Sequence, residues 1–244
     1  MTRAPPRVWI FAFAAVVLLS LAILFPMIIG TLGKPGPKRA EQRPKLLLLT
    51  SLPLLFNEDF TLSGSGSPAL TKLQSRYEVL PIGVTNGAEL AKSHLLLMAQ
   101  PPTQTAENLV VLDQWVRRGG HLLLLADPML EWPSKLPLGD PLRPPSMFMD
   151  TGLIAHWGLR LDAPDRRGIA RGMVGGHQVM TVSPGRLSGG CSISQDRLIA
   201  RCRIGQGKAT IIADADFLDS NRLGSDADHN LDALLEELAR VGQS

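Results

Sequence analysis

HLLLMA at 94–99, TAENLVVLDQWVRR at 105–118 and HLLLLA at 121–126 decide how this chain folds. The first and last runs are short and apolar, as strands buried on both faces are. Between them Leu109, Leu112 and Val116, with Val110 and Trp115 nearby, supply an apolar face at helical spacing. Thr103 or Thr105 can cap the start of that helix, and Gly119-Gly120 ends it. Strand, helix and strand joined by short connections imply right-handed crossovers and a mainly parallel sheet.

Further buried strands read at Lys45–Thr50 (KLLLLT) and Lys208–Ala213 (KATIIA), with another at Tyr77–Ile82. A short helix fits Ala69–Arg76, one helical turn Gly87–Lys92, and a Gly/Ser-rich loop Asn57–Pro68. Glu131–Pro145 is a Pro-rich excursion carrying Trp132; Ser146–Trp157 reads as a helix and Gly158–Leu161 as extended. From Gly175 to Gly207 apolar and polar residues alternate between Gly-rich turns, the pattern of an antiparallel hairpin or small accessory sheet. A final helix at Asn230–Val241 puts Leu231, Leu234, Leu235 and Leu238 on one face. The expected class is α/β: a mainly parallel sheet with an antiparallel hairpin insertion, preceded by one transmembrane helix.

That helix is read from Val8–Ile29, apolar apart from Ser20 and Pro26 and long enough to span a bilayer. The expected organisation is a short tail at 1–7, an uncleaved signal anchor at 8–30, a Pro/Gly/basic stalk at 31–45 and an α/β domain at 46–244. The 244-residue chain has a net charge of +3 and a pI near 9.1. Seven of its 25 basic residues and one of its 22 acids lie in 1–45, which leaves 18 basic against 21 acidic beyond, a net of −3. The domain is thus mildly acidic, with no interleaved cations and aromatics of the kind nucleic-acid binding requires. The anchor points to the inner membrane, and an exported, periplasmic domain is the favoured orientation. Flanking cations slightly favour the opposite one.

Cys191 and Cys202 face each other if Asp196-Arg197 form a two-residue turn, with 193 opposite 200 and 191 opposite 202. They are then close enough for a disulfide, the alternative being two buried thiols. Asp127 and Asp214 each follow a buried strand, where open α/β sheets bind ligands. With Asp216, His229 and Asn230 they form the candidate ligand site; the competing reading is that the acids cap loops and helix starts. Asp214, Asp216, Asp219, Asp226 and Asp228 lack the glycine and bidentate glutamate of a calcium loop, and no histidine pairing suggests a metal. No Gly-x-Ser-x-Gly elbow or phosphate loop is present, and Gly205-Gln-Gly207 reads as a hairpin turn. No catalytic residue, metal or cofactor is expected.

Two stretches together carry a resemblance: Leu112-Asp-Gln-Trp-Val-Arg-Arg-Gly-Gly-His-Leu-Leu-Leu-Leu-Ala-Asp-Pro128, and Gly205-Gln-Gly-Lys-Ala-Thr-Ile-Ile-Ala-Asp-Ala-Asp-Phe-Leu218 followed by Asn221 and His229-Asn230. In their order they resemble the GldG-like family of membrane-anchored auxiliary components linked to ABC transporters, over roughly residues 45–241. The resemblance implies a three-layer fold similar to class I glutamine amidotransferases or flavodoxins. Amidotransferase catalytic residues do not carry over, because no cysteine stands at a strand-to-helix elbow. It also implies a non-enzymatic periplasmic subunit working beside an ABC permease and ATPase and binding a partner protein or envelope ligand. The alternative is an anchored envelope hydrolase or carbohydrate-binding domain using the Asp127/Asp214/Asp216 edge. A third possibility is a cytoplasmic scaffold tethered to the membrane.

Overall fold

The all-apolar runs lie at the centre of a seven-stranded sheet in the computed structural model, which describes residues 43–55 and 66–243. In chain order β1 is Lys45–Thr50, α1 Pro68–Arg76, β2 Glu78–Pro81, α2 Gly87–Leu90, β3 Leu95–Ala99, α3 Ala106–Arg117 and β4 His121–Leu125. After the excursion come α4 Leu153–His156, β5 Leu159–Asp162, β6 Ile169–Val174, β7 His177–Val182, β8 Arg186–Gly189, β9 Ser192–Ile193, β10 Ile199–Ile204 and β11 Gly207–Ile212. A 3-10 turn at Asp216–Leu218, then α5 Ser220–Leu223 and α6 Asp226–Gly242, complete the described chain.

The sheet order is β2-β1-β3-β4-β11-β10-β9. The first five strands are parallel; β10 and β9 add on antiparallel. Counting only the parallel strands, the order is 2-1-3-4-5, the doubly wound flavodoxin arrangement. Leu46–Leu49, Leu96, Leu97 and Leu122–Leu125 are essentially inaccessible, because helices cover both faces of such a sheet. Each buried leucine contributes about 1.5–3 kcal/mol. The α3 cap is Thr105, whose side chain accepts from the Asn108 amide, and α1 starts on Ser67 followed by Pro68.

Three elements depart from the sequence reading; the final helix, expected over Asn230–Val241, begins earlier, at Asp226. The helix expected over 146–157 shrinks to Leu153–His156. Asp150 Oδ1 accepts from the amides of Gly152 and Ile154, and Gly152 sits at φ +105°, so a turn takes the place of earlier helical residues. The antiparallel region begins sooner than 175, because Gly175-Gly176 form the tip of the β6–β7 hairpin. This hairpin stands apart from the main sheet, as does the β5–β8 pair.

Cys191 and Cys202 are disulfide-bonded, with Cα atoms 4.9 Å apart. The register is Ile193 opposite Ala200 and Ser192 opposite Arg201, and Arg197 takes the positive φ (+59°) of the turn. Closing a loop of this size stabilises by about 3 kcal/mol in the chain-entropy account.

The expectation of a transmembrane helix is corrected. Among the described residues no helix is long and apolar enough to cross a membrane. The longest, α6, has 17 residues and rises only about 26 Å against the roughly 30 Å of a hydrocarbon core. Its outer face carries Asp228, Asp232 and Glu236. The single-pass inner-membrane placement with a periplasmic domain, and the signal-anchor description, fall with it. Residues 8–30, on which that expectation rests, and nearly all of the stalk lie outside the described residues.

Candidate functional site

The register of β4 with β11, Leu125 beside Ile212, brings Asp127 and Asp214 together just beyond the carboxyl edge. Both are fully buried, as is Asp216. Asp127 Oδ1 accepts from the Met129 amide at 2.8 Å, and Oδ2 from the amides of Ala215 at 2.9 Å and Asp216 at 3.4 Å. Asp214 Oδ1 accepts from the Phe217 amide at 2.7 Å and Oδ2 from the Val182 amide at 3.0 Å. Asp216 Oδ2 accepts from the Glu131 amide at 2.7 Å. These carboxylates hold the loops after β4 and β11, and the outer edge of β7, in place.

Asn230 belongs to the same assembly. Its Oδ1 accepts from the Met180 amide, and its Nδ2 donates to the carbonyls of Met180 and Phe217. His229 does not: neighbouring helix positions differ by about 100°, and it faces solvent while Asn230 is buried. Sequence reasoning missed Gln100. It follows β3 at φ +42°, is fully buried, and brackets the Asp127 peptide by accepting from its N–H and donating to its C=O. Its Nε2 also donates to the Pro145 carbonyl, so every polar atom of the Gln100 amide is held by main chain.

Burial raises all three acids above the ordinary carboxylate range, because the charged form loses its water. Asp127 is pushed up to about 6 and Asp216 to about 7. Asp214 is raised by desolvation first and then by Asp127 and Asp216. Between the unfolded value near 3.8 and these values the folded chain retains protons the unfolded chain releases, so stability falls as pH rises through that window. Burial lowers His121, which opposes the trend with one group against three. Urea midpoints are expected to drop between pH 5.5 and 7.5 by the equivalent of about 1–3 kcal/mol, and Asp216→Asn to reduce that slope. A flat profile in the parent protein would contradict this account.

A second polar net sits beside the first. The Ser183 hydroxyl donates to Glu131 and accepts from the Gly168 amide, and Arg222 pairs with Glu131 at 2.9 Å. Ser183 has φ +48° and no accessible surface, so it cannot reach a substrate. The bonds from Ser183 and Arg222 hold Glu131 below the usual carboxylate range. Among the described residues no group of three or more His, Cys, Asp or Glu side chains is placed to hold a metal ion.

What remains open to solvent at this edge is a groove of about 780 Å³. Its walls come from Pro53 after β1, Ser67 and Thr71 at the start of α1, Trp132 of the excursion, and Asp219 and Asn221 after β11. It therefore lies where doubly wound sheets take their ligands.

No protein family matches the chain, and no curated protein does. Among solved structures, an exo-β-1,4-mannosidase from Opitutaceae bacterium strain TAV5 is similar at a TM-score of 0.50 and 13% identity. That likeness covers 84% of this chain but only 37% of the mannosidase, so the chain spans well under half of that enzyme. A cytoplasmic protein from Salmonella typhimurium is similar at a TM-score of 0.50 and 11% identity, over 82% of this chain and 100% of that protein. Likeness at such identity speaks to the shared α/β architecture alone.

Proposed function

We propose that this chain is a non-enzymatic auxiliary subunit of an ABC transport system and acts by docking a partner protein of that system. The observation that carries the reading is the surface of the excursion at the carboxyl edge. Leu138 is 87% exposed, and Leu142, Met147 and Met149 are each more than half exposed. These four large apolar side chains stand within twelve residues of chain, where isolated exposures would be ordinary but a cluster marks an interaction surface. The excursion is held in shape by Leu130 N–H to the Ser146 carbonyl and Phe148 N–H to the Asp127 carbonyl, so the apolar groups are presented on a fixed frame. Beneath them, the acids that could do proton-transfer chemistry are covered and bonded to main-chain amides. A hydrolase using the Asp127/Asp214/Asp216 edge would need to uncover them. The resemblance of 112–128 and 205–230 to GldG-like components supplies the partner class.

The test is recovery of partners. The tagged full chain, cross-linked in cells and purified in mild detergent, is expected to bring down ABC permease and ATPase polypeptides. Leu138→Ser with Leu142→Ser, both at exposed positions, is expected to cut that recovery about tenfold without moving the urea midpoint. Absence of transporter polypeptides from the parent sample, or full recovery with the double variant, would refute the reading.

A further inference from the structure

The amino edge of the sheet, opposite the strand-end acids, holds a groove of its own, of about 560 Å³. Lys45 leads β1, Lys92 and His94 precede β3, His121 leads β4, and all four line this groove. The His121 amide donates to the His94 carbonyl at 2.8 Å, which sets these two residues on adjoining strands. Among the described residues no acid lines the groove. Glu89 pairs with Lys92 at 2.7 Å, and Glu78 stands beside Lys45 in the β1–β2 register, but neither is part of the wall. The carbonyl end of α6 is unfavourable to an anion, and there Lys208 donates to the Gln243 carbonyl. Burial first, then Lys208 and His94, holds the His121 ring below its ordinary value, so both neighbouring charges that act on it are positive. The floor is apolar, with Tyr77, Leu95 and Ala239. The Ser93 hydroxyl of the lining is committed to main chain, donating to the Lys45 carbonyl and accepting from the Leu95 amide.

We propose that this groove binds a small anionic amphiphile, its charged head among Lys45, Lys92, His94 and His121 and its apolar body against Tyr77, Leu95 and Ala239. The lining selects the sign of the ligand because its charged groups are all of one sign, and cations converging on a concave wall concentrate anions there. It selects an amphiphile over a bare anion because the floor answers apolar surface. Lysines act as point charges and not as forks, so they fix the charge of the head, and contact with the floor supplies the remaining affinity. The volume falls within the range of small-ligand sites. The amino edge lies away from the apolar excursion, so the site goes beyond the docking reading and stands or falls apart from it.

The probe is decanoate, titrated calorimetrically into the full chain at low salt and below the concentration at which it forms micelles. Decylamine reverses the charge of the head, and acetate removes the body. Decanoate is expected to bind, decylamine to bind at least about tenfold more weakly, and acetate to give no measurable heat. Lys45→Gln with Lys92→Gln, both at exposed positions, is expected to weaken decanoate about tenfold with little change in the urea midpoint. Arg166→Gln with Arg171→Gln removes the same charge from exposed positions on the β6 side of the domain and is expected to leave binding unchanged. Ala239→Trp, which sets a ring on the floor of the groove, is expected to abolish binding. No binding of decanoate, binding of decylamine or acetate as tight as that of decanoate, or equal weakening by the two double variants would overturn the proposal. Parent affinity in a folded Ala239→Trp protein would overturn it as well. Recovery of transporter polypeptides with the Lys45→Gln and Lys92→Gln variant is expected to match the parent, so the two proposals can fail separately.

Discussion

Asp127→Ala is expected to destabilise the domain by about 3–5 kcal/mol, the range for removing one side of a buried charged hydrogen-bond network. One carboxylate meets the amides of Met129, Ala215 and Asp216. Alanine leaves all three in a space that water does not reach, since residues 126, 127, 214, 215 and 216 are inaccessible. The loss is partly offset, because the buried acid no longer resists ionisation above its raised value of about 6. Asp127→Asn retains one acceptor oxygen and is expected to cost roughly half as much. Denaturant unfolding at pH 7 measures both. If Asp127→Ala abolished partner recovery while its urea midpoint stayed at the parent value, the acid would be part of a binding site and the structural role assigned to it would be wrong.

Gly207→Ala carries a comparable penalty through sterics alone. A Cβ at Gly207 would lie 2.1 Å from the Val116 carbonyl oxygen and 2.2 Å from that of Gly120. Both obstacles are main chain, so no side-chain rotation relieves them. The C-terminal turn of α3 packs directly on the start of β11 here, and the Gln206 and Lys208 amides donate to the carbonyls of Arg117 and Gly120. Separating these elements disturbs the β4–β11 pairing that aligns the two strand-end acids. A loss of about 3–5 kcal/mol is expected, at the upper end for overpacking. Gly176→Ala is the informative contrast: its Cβ would meet nothing within 4 Å, and its penalty comes only from φ +90°, about 1–2 kcal/mol. Equal midpoints for the two variants would remove close approach as the explanation for the second glycine of Gly205-Gln-Gly207.

The strands and the two long helices were legible because their signals are local: all-apolar runs of five or six residues, and leucines at helical spacing. The positions of Asp127 and Asp214 were legible for the same reason, as each ends a buried strand. Their partners were not. Val182 lies 32 residues from Asp214, and only the placement of the β6–β7 hairpin brings its amide to that carboxylate. The same limit explains His229 and Asn230, adjacent in sequence yet on different faces of α6. Gln100 gave no signal, since a glutamine after a strand reads as an ordinary loop residue until its backbone is seen at positive φ. Within the acid-rich stretch 214–228, Asp214 and Asp216 are buried while Asp219 and Asp228 line the groove, a division set by the 3-10 turn at Asp216–Leu218 and the start of α6, and composition carries no trace of it.

The main sheet also ends in a particular way on each side. At one margin β2 has four residues and closes on Pro81, which has no N–H to offer. At the other, β9 has only two residues, followed by a turn and pinned to β10 by the Cys191–Cys202 bond. A long, flat, apolar margin recruits strands from other molecules and seeds aggregation. Here each margin is too short to template such growth, and the covalent link keeps β9 in front of Ala200 and Arg201 of β10. The disulfide thereby guards colloidal solubility as well as the hairpin it closes.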